Sequence, residues 1–323
     1  MVREKTRNLK ESGFMKIRNM KYVKVAVTVA ALNAALHTTN GAVFFDTATL
    51  NAAWAFAQDP RFNCVGTVGL NIGGKWISIG SGEIILDGSW VFCSGHELSW
   101  QLHTFSGVRF SLRDSTGAAT LRVVADSWYV YPGFDPRFPG GPGDFGLIHL
   151  TQPITSVAAA SLYTGSQASL NGKTAYMAGF GDPGTAGNGT TLSSNVKYAG
   201  QNIIGDCAYP SWVDPNNVIV NFSSPLDSSA QPLEYGASPG DSGGGLFVDD
   251  NGLKLAAILS AVTSTSTFNY GDITSAAPIS FGIDWINRVT SPTPVPEPPS
   301  HLALLMTIGF CLLGKAYRSL RQT

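Results

Sequence analysis

Between residues 43 and 280 no long stretch keeps an apolar stripe at helical spacing, and this limits the fold more than any single motif. Short apolar runs recur instead, separated by Gly, Asn, Asp and Pro clusters. They are Val65–Ile72, Lys75–Ile79, Gly82–Leu86, Ala119–Val124, Leu147–Leu150, Thr174–Ala178, Asn217–Phe222 and Leu253–Val262. Such runs have the length of strands, and turn residues join them. The pattern predicts an antiparallel all-β body. One helix is expected near its end, over about residues 281–289, where Ile283, Trp285 and Ile286 share a side. No repeat of fixed period is present.

The two ends read differently from the body. Arg3, Lys5, Arg7, Lys10, Lys16, Arg18, Lys21 and Lys24 precede an apolar run from Val25 to Leu36, and Thr38-Thr39-Asn40-Gly41-Ala42 follows. A basic region, a short apolar core and a small-residue exit predict a signal peptide over residues 1–42, cut after Ala42. At the other end, residues 292–300 form a proline-rich linker that cannot continue a helix or a sheet. Residues 301–323 hold an apolar segment, Leu302–Leu313, and then Lys315, Arg318 and Arg321. The motif Pro296-Glu297-Pro298 with that segment and tail resembles the PEP-CTERM sorting signal of Gram-negative bacteria. The resemblance implies export across the inner membrane and handling by signal peptidase and exosortase-like sorting machinery. It also implies a surface or extracellular location with transient anchoring by the C-terminal segment.

The body, residues 43–291, holds 10 Lys and Arg against 19 Asp and Glu, a formal net charge of −9. The near-neutral value of the whole chain, −1, comes from its basic ends. An acidic exported body excludes nucleic acid as the expected partner. At about 250 residues it is one large domain or two small ones. It keeps Cys64, Cys93 and Cys207, so one internal disulfide at most is expected, with the pair undetermined. No Cys/His spacing suits zinc, and neither metal nor cofactor is expected.

Gly240-Asp241-Ser242-Gly243-Gly244 places a serine on a glycine-bounded turn with main-chain N–H groups on both sides. That suits a nucleophile whose tetrahedral intermediate is held by backbone donors; a plain glycine turn is the alternative. A serine needs a base. His96 ends the stretch Gly82–Gly95, read as strand, tight turn at Asp87-Gly88, strand and small-residue turn. His149, inside Leu147-Ile148-His149-Leu150, reads as lining a strand face, and His103 has no distinctive context. Asp144 directly precedes the apolar strand Phe145–Leu150, where a carboxylate needs a partner such as an imidazole N–H.

Together these segments resemble the trypsin/chymotrypsin-like serine peptidases. Trp90-Val91-Phe92-Cys93-Ser94-Gly95-His96 is similar to that family's Trp-Val-Leu-Thr-Ala-Ala-His, and Asp144-Phe145-Gly146-Leu147-Ile148-His149-Leu150 to its Asp-Ile-Ala-Leu-Leu-Lys-Leu. Val130–Asp135 and Ala178-Gly179-Phe180-Gly181 resemble its His-Pro-Gly-Tyr and Ala-Gly-Trp-Gly segments. The order His, Asp, Ser and the separations, 48 and 98 residues, agree with the family. The resemblance runs from about Phe62 to Val289. It implies two packed antiparallel β-barrels, over about 43–157 and 158–280, and a short C-terminal helix. It also implies peptide-bond hydrolysis of protein or peptide substrates through an acyl-enzyme. Ser242 would be the nucleophile, His96 the base, Asp144 the orienting acid, and the N–H groups of Gly240 and Ser242 the oxyanion hole.

The chain also departs from the family. Glu97 stands where the family has a cysteine beside the histidine, so that bridge is missing. No Arg-Ile-Val-Gly-Gly activation sequence exists, and the expectation is that cleavage exposes Val43, whose amine reaches Asp241. The substrate pocket is expected to have Ser260-Ala261-Val262 as a wall and Gly236 at its base. With no aspartate there, Lys and Arg are not the expected P1 residues, and Val262 where the family commonly has glycine narrows the expectation to small or medium apolar ones, unless Glu234 folds inward. The competing reading is a catalytically weak or inactive peptidase-fold binding or matrix protein displayed at the surface.

Overall fold

A computed structural model describes residues 42–99, 104–136, 140–141, 143–190, 195–205, 207–211, 213–263 and 268–291. The expected signal peptide up to residue 41, the linker, the sorting tail and His103 lie outside them. Among the described residues no helix is long and apolar enough to cross a membrane.

The described chain opens with β1 (Val43–Phe44) and α1 (Thr47–Phe56). The helix starts where Asp46 accepts the Thr49 N–H at 2.8 Å and Thr49 Oγ1 accepts the Asp46 N–H at 2.9 Å, a reciprocal cap. Then come β2 (Val65–Ile72), β3 (Lys75–Ile85), β4 (Trp90–Cys93), the one-turn helix α2 (Gly95–Leu98), β5 (Val108–Arg113), β6 (Ala119–Val130) and β7 (Gly146–Leu150). These six strands close into an antiparallel barrel, β2-β3-β4-β7-β6-β5. Val68, Leu70, Ile84, Val91, Phe92, Phe110 and Leu147 are fully buried in it. Removing that apolar surface from water at roughly 25 cal/mol per Å² is the main force closing the barrel.

The second half holds β8 (Ser161–Leu162), β9 (Thr174–Gly179), β10 (Gly184–Thr185), β11 (Gly189–Thr190), β12 (Tyr198–Ile203), β13 (Val218–Asn221), β14 (Gly245–Asp249), β15 (Leu253–Val262) and β16 (Ile273–Pro278). Its main sheet runs β12-β9-β14-β15-β16-β13, with β8 added to β15. The sheet curls until its edges meet at an Ile204–Val220 bridge, where the Gly205 N–H reaches the Ile219 carbonyl at 2.9 Å. Helix α3 (Ile279–Thr290) ends the described chain. Double-barrel architecture with a short C-terminal helix is thus what the residues build.

Space and sequence part company at the start. β1 does not join the first barrel: it pairs in parallel with β10, which carries β11. α1 buries Ala53 in the core of the second half, with Leu50 and Tyr198 packed alongside. The expected first barrel therefore begins near β2, because the apolar partners of Phe44 and Ala53 lie in the other sheet. No disulfide joins the described residues, and Cys64 and Cys93 are buried thiols.

Candidate active site

β4 and β7 are adjacent and antiparallel, with Cys93 opposite Gly146. That register brings the residues just past β4 beside those just before β7. His96, on α2, and Asp144 meet there. The His96 N–H donates to Asp144 Oδ1 at 2.8 Å, and His96 Nδ1 lies 2.7 Å from Oδ2. Asp144 is fully buried. Its other partner comes from β15, where the Ser260 hydroxyl donates to Oδ2 at 2.5 Å. Ser260, expected as pocket wall, thus turns its side chain to the acid.

His96 keeps 24% of its side chain exposed. Burial pulls its pKa down, but the charge and hydrogen bond of Asp144 outweigh this and raise it above the usual 6.5. With Asp144 on Nδ1, the neutral ring carries its proton there and leaves Nε2 as the basic edge. His149 is placed apart, on β7, with Nδ1 2.7 Å from Asp126 and its ring 4.7 Å from that of Trp90. It lines a strand face, as its setting suggested.

Ser242 sits on the turn into β14, and β3 bolts that turn in place. The Ser81 N–H donates to the Ser242 carbonyl at 2.8 Å, and the Ser81 hydroxyl to the Gly240 carbonyl at 3.0 Å. From the other side the Gly243 N–H reaches the Leu259 carbonyl at 2.9 Å. Gly240, at φ +93°, takes the left-handed conformation that glycine permits without strain. Among the described residues, the N–H groups of Gly240 and Ser242 and the Ser242 hydroxyl have no hydrogen-bond partner, so two main-chain donors flank an open hydroxyl.

Asp241 is buried, and its carboxylate accepts the Gly181 N–H at 2.7 Å and the Ser238 N–H at 2.9 Å. Burial pushes its pKa up to about 7 against the pull of those bonds. The expected amine is elsewhere: the Val43 nitrogen donates to the Gly236 carbonyl at 2.8 Å, and the Gly236 N–H returns to Val43 at 2.9 Å. Val43 is held in a strand-like ladder and does not face Asp241 in this structure.

The same ladder buries Gly236, with the Phe222 ring 3.3 Å from where a Cβ would stand. Its neighbour Ala237 donates its N–H to Thr274 Oγ1 at 3.2 Å. Thr274 pairs with Val262, and Ser275 with Ala261, across β15 and β16. Paired residues project to the same face, so Val262 shares the side of the sheet on which Thr274 meets Ala237, and it packs against the core there. Glu234 does fold inward, but its carboxylate accepts from Asn202 (3.0 Å), the Ser223 N–H (3.0 Å) and the Gln231 N–H (2.6 Å). Among the described residues no group of three or more His, Cys, Asp and Glu could hold a metal.

Three contributors escaped sequence reasoning. Ser81 and Thr274 carry no local signal, since strand register alone brings them in. Glu97 did carry one, the string Ser94-Gly95-His96-Glu97, which is a helix capping box. Comparison with curated proteins finds no match. A family model described as Trypsin matches residues 62–286, more than half of the 323. By that match, over the barrels and turns just described, the chain belongs to the trypsin family.

Proposed function

We propose that this chain is a serine endopeptidase acting through Ser242, His96 and Asp144. The observation that carries the reading is the bonded line Ser260–Asp144–His96, whose next residue Glu97 packs against Gly243 of a serine turn with two open N–H donors. Nε2 of His96 takes the proton as Ser242 Oγ attacks the scissile carbonyl, then returns it to the leaving amine. Asp144 holds the ring's tautomer and stabilises the imidazolium. The developing oxyanion is received by Gly240 and Ser242, each donor being worth about 3 kcal/mol. In a free enzyme the Ser–His bond is often long and tightens with substrate. Val262 and Thr274 favour small or medium apolar P1 residues, and the family implies protein or peptide substrates.

The sequence ends support a further part of the proposal. The enzyme is exported from a Gram-negative cell, processed by signal peptidase and sorted through its Pro296-Glu297-Pro298 tail. A fluorophosphonate probe tests the chemistry. Wild type should be labelled stoichiometrically and Ser242→Ala not at all. An unlabelled, correctly processed wild type would favour the binding-protein reading and overturn this one.

A further inference from the structure

Glu97 takes no part in the proton transfers above, yet it is almost fully buried between the segments carrying base and nucleophile. Its Oε2 accepts the N–H (3.1 Å) and the hydroxyl (2.9 Å) of Ser94, which starts α2. A Cβ on Gly80 of β3 would collide with Glu97 Oε1 and stand 2.8 Å from the Ser242 carbonyl oxygen. A Cβ on Gly243, at φ +76°, would collide with Oε2 and with the Ser81 carbonyl oxygen. The carboxyl therefore fills a slot that exists because both residues are glycines. Main-chain carbonyl oxygens stand at that slot, and they repel a carboxylate but accept from a carboxylic acid. Oε1 is buried with no partner among the described residues, a state too costly for a charged oxygen.

We propose that Glu97, as a neutral acid, is a positioning residue that clamps the His96 helix to β3 and to the Ser242 turn. This rests on the serine-peptidase reading. The groups around it agree. Glu83 on β3 is fully buried, and burial first and the charge of Glu97 next push its pKa well above normal, against the backbone hydrogen bond of Gly245. Asp144, before β7, also disfavours the charged form. Cys93, at the end of β4, is a buried thiol whose pKa is raised well above normal, by burial first and by these acids next. Only His96 and the Ser94 bonds favour ionisation. Burial wins, pushing Glu97 up to about 8.

The test compares wild type, Glu97→Ala and Glu97→Gln by peptide hydrolysis across pH, probe labelling and thermal melts. Glu97→Ala should lose about 100-fold in kcat with KM nearly unchanged, the mark of misplaced groups. Glu97→Gln accepts from Ser94 and donates to the carbonyls, so it should recover to within about fivefold at neutral pH. Wild-type activity should fall as pH rises through about 8, while Glu97→Gln stays level there. Wild-type kcat in Glu97→Ala, Glu97→Gln as poor as Glu97→Ala, or a shared alkaline limb would each overturn the clamp. If Glu97→Ala does not fold, the Glu97→Gln profile decides. Should the probe fail to label wild type, the serine-peptidase reading falls and the melts decide alone. The clamp then requires wild type to lose more stability than Glu97→Gln between about pH 5 and pH 9, and equal losses refute it.

Discussion

Asp144 shows how a carboxylate survives complete burial. An unpaired charge there would cost several kcal/mol, and three donors converge on it, each charge-assisted bond returning about 1.5–3 kcal/mol. On the peptidase reading, removing one donor should be felt without abolishing turnover. Ser260→Ala should lower kcat about tenfold at nearly constant KM, read by steady-state kinetics. Asp144→Asn, which presents the wrong tautomer to His96, should cost about four orders of magnitude in kcat. The expected pocket wall makes a separate prediction. Val262→Gly with Thr274→Gly should raise kcat/KM for aromatic over small P1 residues by at least about tenfold, measured on matched peptides. Of these residues, His96, Asp144 and Ser242 were legible because each sits beside a recognisable apolar strand or glycine turn. Ser260 was legible in position but not in role, because only the register of β15 turns its hydroxyl to Asp144. Gly236 falls at the pocket base by spacing, yet its backbone is committed to Val43 and its Cα to Phe222.

Among the elements, legibility followed the size of the side chains. β2 and β15 have the limits that their Val, Leu and Ile runs predict, and α3 is longer than expected at both ends. β3 fuses two expected strands, since the Gly80-Ser81-Gly82 segment that looked like a break continues the ladder past a bulge. β12 and β16 passed unnoticed because Gly200, Gln201, Asn202, Thr274 and Ser275 do not look like strand residues. They pair where close approach favours small or hydrogen-bonding side chains. α1 was missed because Ala48, Ala52, Ala53 and Ala55 spread weak hydrophobicity round the helix. Its stability leans on its cap. Asp46→Ala should lower Tm by a few degrees, read by calorimetry, with activity unchanged.

Three acids in the body, Glu83, Glu97 and Asp241, are held above their ordinary carboxylate range chiefly by burial. A raised carboxyl binds its proton more tightly when folded. Its stabilising share is complete below the unfolded value near 4, and is lost as pH rises through the folded one. For Asp241 that upper limit is about 7, and for Glu97 about 8. His96, also raised, works in the same direction. So far as these groups set it, stability by urea titration should therefore be greatest at or below about pH 4 and decline as pH rises toward 8. β1 carries a different consequence, one of timing. It is made first, but its partners at Gly184 and Gly236 follow about 140 and 190 residues later. The first of the described strands must wait, unpaired and wholly apolar, until the segment leading to Ser242 arrives to hold it. A chain stopped before Gly236 has neither the hold on its β1 nor the turn that carries Ser242.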